Sequence, residues 1–207
     1  MRTAFGFLVV LLVAGALGAE DADEPTRCLA VGDSDLAARK AGLAIQDYRL
    51  FLKRFPDHPR ADRALYMMGE SSRLALEQLG SILRADLLTH FNPKWTEYTA
   101  VAQHLAQTYG FYAAISEGDP YWYYDMRAYR ELAERFPHSD YADDARFFLA
   151  ESHPRGATWT LVGHPDFANI ISTRIQRYET ILHDFPDTNR RSEIEQALAE
   201  LRPYLPE

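Results

Sequence analysis

Three times in this chain an aromatic residue precedes a Phe-Pro pair at one fixed separation: Tyr48 before Phe55-Pro56, Tyr129 before Phe136-Pro137, Tyr178 before Phe185-Pro186. Within each copy the apolar residues recur at helical spacing. Tyr48, Phe51, Leu52 and Phe55 correspond to Tyr129, Leu132, Ala133 and Phe136, and to Tyr178, Ile181, Leu182 and Phe185. Positions i, i+3, i+4 and i+7 form one stripe on a helix. The Pro then ends the helix, because it has no N–H to donate and pushes the residue before it out of the α region. After the central copy, Ala142, Ala145, Phe148 and Leu149 carry the stripe of a second helix, with Ser139 or Asp140 placed to cap it. Ala61 and Ala64 repeat the alanines after the first copy. One such helix pair cannot bury its own stripe, so three register-matched copies predict a stacked repeat protein. The expected fold is an all-α solenoid of helical hairpins, about seven to eight helices in all.

Residues 1–19 read as a secretory signal peptide: Arg2, then an apolar run from Phe5 to Val13, then small residues up to Ala19. Residues 20–33 are acidic and without period, which predicts a flexible leader. The repeat domain is expected over 34–207. Its first helix spans 35–55 with Asp33 or Ser34 as cap, and an apolar-periodic segment follows over 61–90, interrupted by Gly69 and Gly80. A helix over 94–116 follows Asn92-Pro93, and a final pair covers 167–185 and 189–202. Residues 152–166 read as a loop insertion. Cys28 is the one cysteine, so no internal disulfide forms. Arg27 precedes it and the apolar run ends about ten positions upstream, which argues against a lipid anchor there. A net charge of −8 without a basic run argues against nucleic acid as a partner.

The spacing Ala44, Tyr48, Pro56 is similar to the second helix of a tetratricopeptide repeat. The segment AYRELAERFPHSDYADDARFFLAE (128–151) more closely resembles the repeats of the exported tetratricopeptide lipoproteins of the outer-membrane β-barrel assembly machinery. It also resembles the related cell-division coordinator family. This resemblance implies a periplasmic scaffold. The lipid-attachment signal of that family is missing here, and the 152–166 loop interrupts the array. The 49 residues between Pro137 and Pro186 are one tetratricopeptide period of about 34 plus that loop. The 81 residues between Pro56 and Pro137 hold two such periods with 13 residues over, and no motif copy stands between them.

Motifs for nucleotide loops, zincins, paired cysteines and nucleophile elbows are absent from the sequence, and nothing in it implies a cofactor. His58, His138 and His183 flank the three Phe-Pro turns and read as polar turn residues. Glu151, His153, His164 and Asp166 bracket the long loop, a metal-ligating set without diagnostic spacing. The aromatic run Tyr121-Trp122-Tyr123-Tyr124 covers most of a turn at an expected helix start, more than one helix face can bury. Tyr121, Trp122 and Tyr124, with Trp159 on the loop, are therefore the candidate partner-binding residues, each offering apolar area with one polar atom.

The expected function is non-catalytic: a periplasmic scaffold taking a protein or peptide partner in a groove, in outer-membrane protein assembly or envelope maintenance. Membrane association would be peripheral, through the partner. The alternatives are a glycan-binding module using the Tyr/Trp cluster and a metal-dependent enzyme using the 151–166 loop.

Overall fold

The computed structural model describes residues 24–87, 104–116, 119–152 and 167–205, with the backbone alone for 80–87, 113–116 and 119–122. Among these the fold is all-α, with eight helices and one two-stranded sheet. The helices are α1 (Glu24–Ala37), α2 (Ala41–Arg54), α3 (Ala61–Leu87), α4 (104–109), α5 (Arg127–Arg135), α6 (Ala142–Ala150), α7 (Phe167–Asp184) and α8 (Arg191–Leu201). Strands β1 (Phe111–Ser116) and β2 (Asp119–Tyr124) form an antiparallel hairpin between α4 and α5. Packing is sequential, α1 on α2, α2 on α3, α3 on α5, α5 on α6, α6 on α7 and α7 on α8. Each contact joins neighbours in the stack, as expected where no single helix pair holds a core of its own.

Each Phe-Pro turn is built the same way. The Phe N–H bonds back to the last turn of its helix, from Phe55 to Phe51 O, Phe136 to Leu132 O and Phe185 to Ile181 O. Three residues on, His58, Ser139 and Thr188 receive the N–H of the second residue after them through a side-chain atom. A histidine Nδ1 and two hydroxyls thus play one role. The Ser139 hydroxyl also donates to Asp62 at 2.6 Å and the Thr188 hydroxyl to Asp143 at 2.7 Å, so the second and third turns each dock on the start of an earlier helix. Tyr141 is the N-cap residue of α6 and makes no side-chain cap bond; the expected cap Ser139 serves the turn instead.

The three register tyrosines lie at the centre of the stack, all with 0 % exposure. Tyr48 donates to Asp33 at 2.7 Å and Tyr129 to Glu70 at 2.5 Å, while Tyr178 donates to Glu151. An arginine completes each group: Arg63 on Asp33 at 2.9 Å, Arg73 on Glu70 at 3.0 Å and Arg174 on Glu151 at 3.5 Å. A small residue precedes each acid, Gly32, Gly69 and Ala150, and at the two glycines the tyrosine ring lies against the bare Cα. Burying a phenol without a partner would cost a desolvation penalty, and the carboxylate removes it. The repeat is therefore carried by polar triads as well as by the apolar stripe.

Four expectations are corrected. The acidic leader is helical from Glu24, because Leu29 and Gly32 face the core and Gly32 seats Tyr48. The single helix over 35–55 is two, broken at Arg39, whose φ of 57° is left-handed, so Asp33 and Ser34 lie inside α1. Gly69 and Gly80 do not interrupt α3, since Gly69 is helical where the Tyr129 ring needs room. The helix expected to 116 ends at 109, where Gly110 takes φ +76°, and the aromatic run is a strand rather than a helix start. The second helix pair of the stack is α3 with α5, and α4 and the β-hairpin are inserted between them. The signal-like residues 1–19 lie outside the described residues.

Candidate functional site

An open cleft of about 650 Å³ lies between α5, α6 and α7. Its rim carries three arginines, Arg130 from α5, Arg146 from α6 and Arg177 from α7, above an apolar floor of Leu149 and Ile181. Ser152, Thr173, Gln176 and Thr180 add hydroxyls and one amide. Among the described residues no acidic side chain lines it. In a chain of net charge −8, a cleft walled by three guanidinium groups is a local reversal of sign.

The stack positions each arginine. Tyr129 turns into the core, so Arg130, one residue on, points out from the first turn of α5 and lines the cleft. Its guanidinium donates to the Asp125 carbonyl at 3.0 Å. Arg177 stands beside the buried Tyr178 on α7 and donates to the Leu149 carbonyl at 3.3 Å, which ties α7 to the last turn of α6. Arg146 pairs with Asp184 at 2.8 Å and lies over the Phe185 ring at 5.0 Å. A guanidinium has five N–H donors. Each of these side chains keeps donors to spare after those bonds, and among the described residues neither Arg130 nor Arg177 meets a carboxylate. The arrangement can hold an electron-rich group by charge-assisted hydrogen bonds while apolar groups rest on the floor.

The residues singled out in the sequence fall elsewhere. Tyr124 is core: it is 3 % exposed, packs on Phe111 with ring centroids 5.6 Å apart, and its hydroxyl accepts the Ala128 N–H at 3.0 Å. Burial pushes its phenol pKa up. Tyr124 is thus no partner contact, because strand alternation turns it inward. Its neighbour Tyr123 is exposed and stacks on Tyr112 at 5.4 Å across the hairpin. Tyr121 and Trp122 pair with Ala114 and Ala113 in the strand register, and their side chains lie outside the description. Trp159, His153, His164 and Asp166 lie outside the described residues altogether. Glu151, the remaining member of that set, is the acceptor for Tyr178 and Arg174.

Sequence reasoning passed over the arginines because single cations on helix faces read as solvated surface. Aligning the copies on their Phe-Pro pairs exposes a signal. Arg49 and Arg130 share one position, six residues before the Phe, and Arg127 and Gln176 share another, nine before it. Comparison with protein-family models and with the curated proteins finds no match to the chain.

Proposed function

We propose that this chain is a non-catalytic scaffold, tetratricopeptide-like in its stacking, that binds a polypeptide segment of a cell-envelope partner in the α5–α6–α7 cleft. The open arginine-rimmed cleft carries the reading: it joins Arg130 and Arg177, which meet no carboxylate among the described residues, to an apolar floor on a stack of packed helices, as a polypeptide ligand requires. The signal-like start of the sequence supports an exported location, and the resemblance of 128–151 to envelope scaffold repeats supports the setting. No described helix is long and apolar enough to cross a membrane.

The test is site-specific photo-crosslinking in cells, with the reactive side chain placed at Thr173 or Thr180 in the cleft and at Gln196 on α8 as a control. The reading expects a discrete polypeptide adduct from the cleft positions, lost on Arg130→Glu or Arg177→Glu. Adducts that form equally at Gln196, or that persist in both arginine variants, would overturn it.

A further inference from the structure

The α5–α6–α7 cleft has a counterpart one step earlier in the stack, between α2, α3 and α5, and there the space is filled. Superposing the copies on their Phe-Pro pairs matches Arg130 to Arg49, Leu149 to Met68, Ser152 to Ser71, Gln176 to Arg127 and Ile181 to Leu132. The occupant of the earlier cleft is the chain's own insertion, and the part of it held by these positions is the C-terminal end of α4. Arg49 donates to the Thr108 carbonyl. Arg127 donates to the Gln107 carbonyl at 3.2 Å and to the Ala106 carbonyl at 3.1 Å. Tyr109, the last residue of α4, lies under the Arg49 guanidinium at 5.3 Å and accepts a hydrogen bond from Gln46 at 3.0 Å. Gly110 ends the helix and returns its N–H to Ala106.

The chemistry of that contact is general. The last carbonyls of a helix have no partner within the helix, and the aligned peptide dipoles place partial negative charge there. Two arginines reaching in from opposite walls satisfy those carbonyls and neutralise the dipole end. In the second cleft the same two walls stand open with the donors kept: Arg130 is in the place of Arg49, and the Gln176 amide is in the place of Arg127. Two further guanidiniums are added, since Arg177 and Arg146 stand where the first cleft has Ala128 and Leu65. Among the described residues this second space is lined by α5, α6 and α7 and by Ser152, just past the end of α6.

We infer that the second cleft is a docking site for the C-terminal end of a helix of a partner polypeptide, seated as α4 is seated in the first. This rests on the scaffold reading and names what the scaffold grips: free helix-end carbonyls and the aromatic or aliphatic residue beside them, rather than a carboxylate-rich extended strand. The stronger cation set suits an intermolecular ligand, which lacks the tether that holds α4.

The probe is a synthetic helical peptide ending in His-Leu-Ala-Gln-Thr-Tyr-Gly, the sequence of 104–110, extended at its N-terminus by alanine-rich helical turns and amidated at its C-terminus so that it bears no carboxylate. Fluorescence anisotropy against the full chain is expected to show saturable binding. Arg130→Ala with Arg177→Ala should weaken it at least tenfold, while Arg60→Ala, outside the cleft, leaves it unchanged. Both cleft arginines are on exposed positions, so their loss leaves the core intact, which circular dichroism checks. A peptide of the same composition broken by proline should bind at least tenfold less. Absence of saturable binding, indifference to the arginine pair, or equal binding of the broken peptide each overturns the inference. If the cleft crosslinks a partner in an arginine-dependent way yet the helical peptide does not bind, the helix-end inference falls and the scaffold stands. If both fail, both readings fall.

Discussion

Tyr129 donates its hydroxyl to Glu70 at 2.5 Å while its ring lies against the bare Cα of the residue before that acid, Gly69. One tyrosine therefore fixes two neighbouring positions of α3, the first by contact and the second by charge. A Cβ at Gly69 would stand 2.5 Å from two ring carbons of Tyr129, closer than atoms can pack. In an ordinary helix Gly→Ala gains about 0.5–1 kcal/mol. Here the sign reverses, and Gly69→Ala is expected to cost about 1–3 kcal/mol by overpacking. Urea denaturation reads this as a lower midpoint. Gly42→Ala, where a Cβ meets nothing within 4 Å, should show no loss. In a Tyr129→Leu background the Gly69→Ala penalty should shrink. An equal penalty in both backgrounds would show that the ring is not the obstacle.

The tyrosine triads also set an alkaline limit. The phenols of Tyr48, Tyr129 and Tyr178 all have pKa values raised above the ordinary 10.0, first by burial and then by the carboxylate each one faces. Tyr66, packed near Glu70 and Asp144, is pushed up to about 12, again chiefly by burial. A raised folded-state pKa means that the unfolded chain loses its proton first. The stability from these groups is then complete below pH 10 and falls as pH climbs above it. At pH 11, one unit above the ordinary value, each such phenol removes about 1.4 kcal/mol. Tyr129→Phe lacks this loss, so the gap in stability between wild type and variant should narrow by that amount from pH 9 to pH 11. A gap that stays constant would refute the linkage.

How far the fold could be read depended on how local the signal was. A Phe-Pro pair at fixed distance from a tyrosine sets a backbone break and a helical stripe within nine residues, so all three turns were legible. The triads were not, because Asp33, Glu70 and Glu151 reach their tyrosines from other helices and look like surface acids in sequence. The helix at 24–37 was hidden by its acidic neighbours, since only Leu29 and Gly32 are buried in it. The strand was hidden for another reason. A strand is recognised by alternation, and in Tyr121-Trp122-Tyr123-Tyr124 both faces are aromatic, so the inward Tyr124 and the outward Tyr123 are chemically alike. The arginine cleft emerges only when three helices converge, which no single window of sequence contains.

Cys28 gives a simple measure of the correction at the N-terminus. In a flexible leader its thiol would react freely. In α1 it is half-buried against the core, and burial, aided by Asp47 and Glu24 and opposed by Arg54, pushes its pKa above the ordinary thiol value. Less thiolate at neutral pH and less access both slow attack. Reaction with an aromatic disulfide reagent at pH 8 should therefore be at least tenfold slower in the native protein than in urea. Equal rates would mean that the segment is not packed.

Gly110 joins α4 to the hairpin within the insertion, beside the residues that hold the insertion to α5, and its substitution tests that hold. Its φ of +76° is left-handed, and a Cβ there would stand 2.5 Å from Asp125 Oδ1 and 2.6 Å from Arg127 Nε. Those two side chains pair at 2.8 Å, and Arg127 carries the helix-end carbonyls of α4, so the clash falls on the group that holds the insertion to α5. The Asp125 N–H also bonds the Gly110 carbonyl at 2.9 Å, closing the base of the hairpin. Gly110→Ala is expected to cost about 1–3 kcal/mol through strain at a special backbone position. The loss should be local. Hydrogen exchange should rise at 106–112 and 123–127 while the amides of α1, α2 and α7 keep their protection. Arg127→Ala should raise exchange at 106–110 in the same way without touching backbone conformation. If Gly110→Ala instead unfolds the whole stack, the end of α4 is part of the core rather than an occupant of its first cleft.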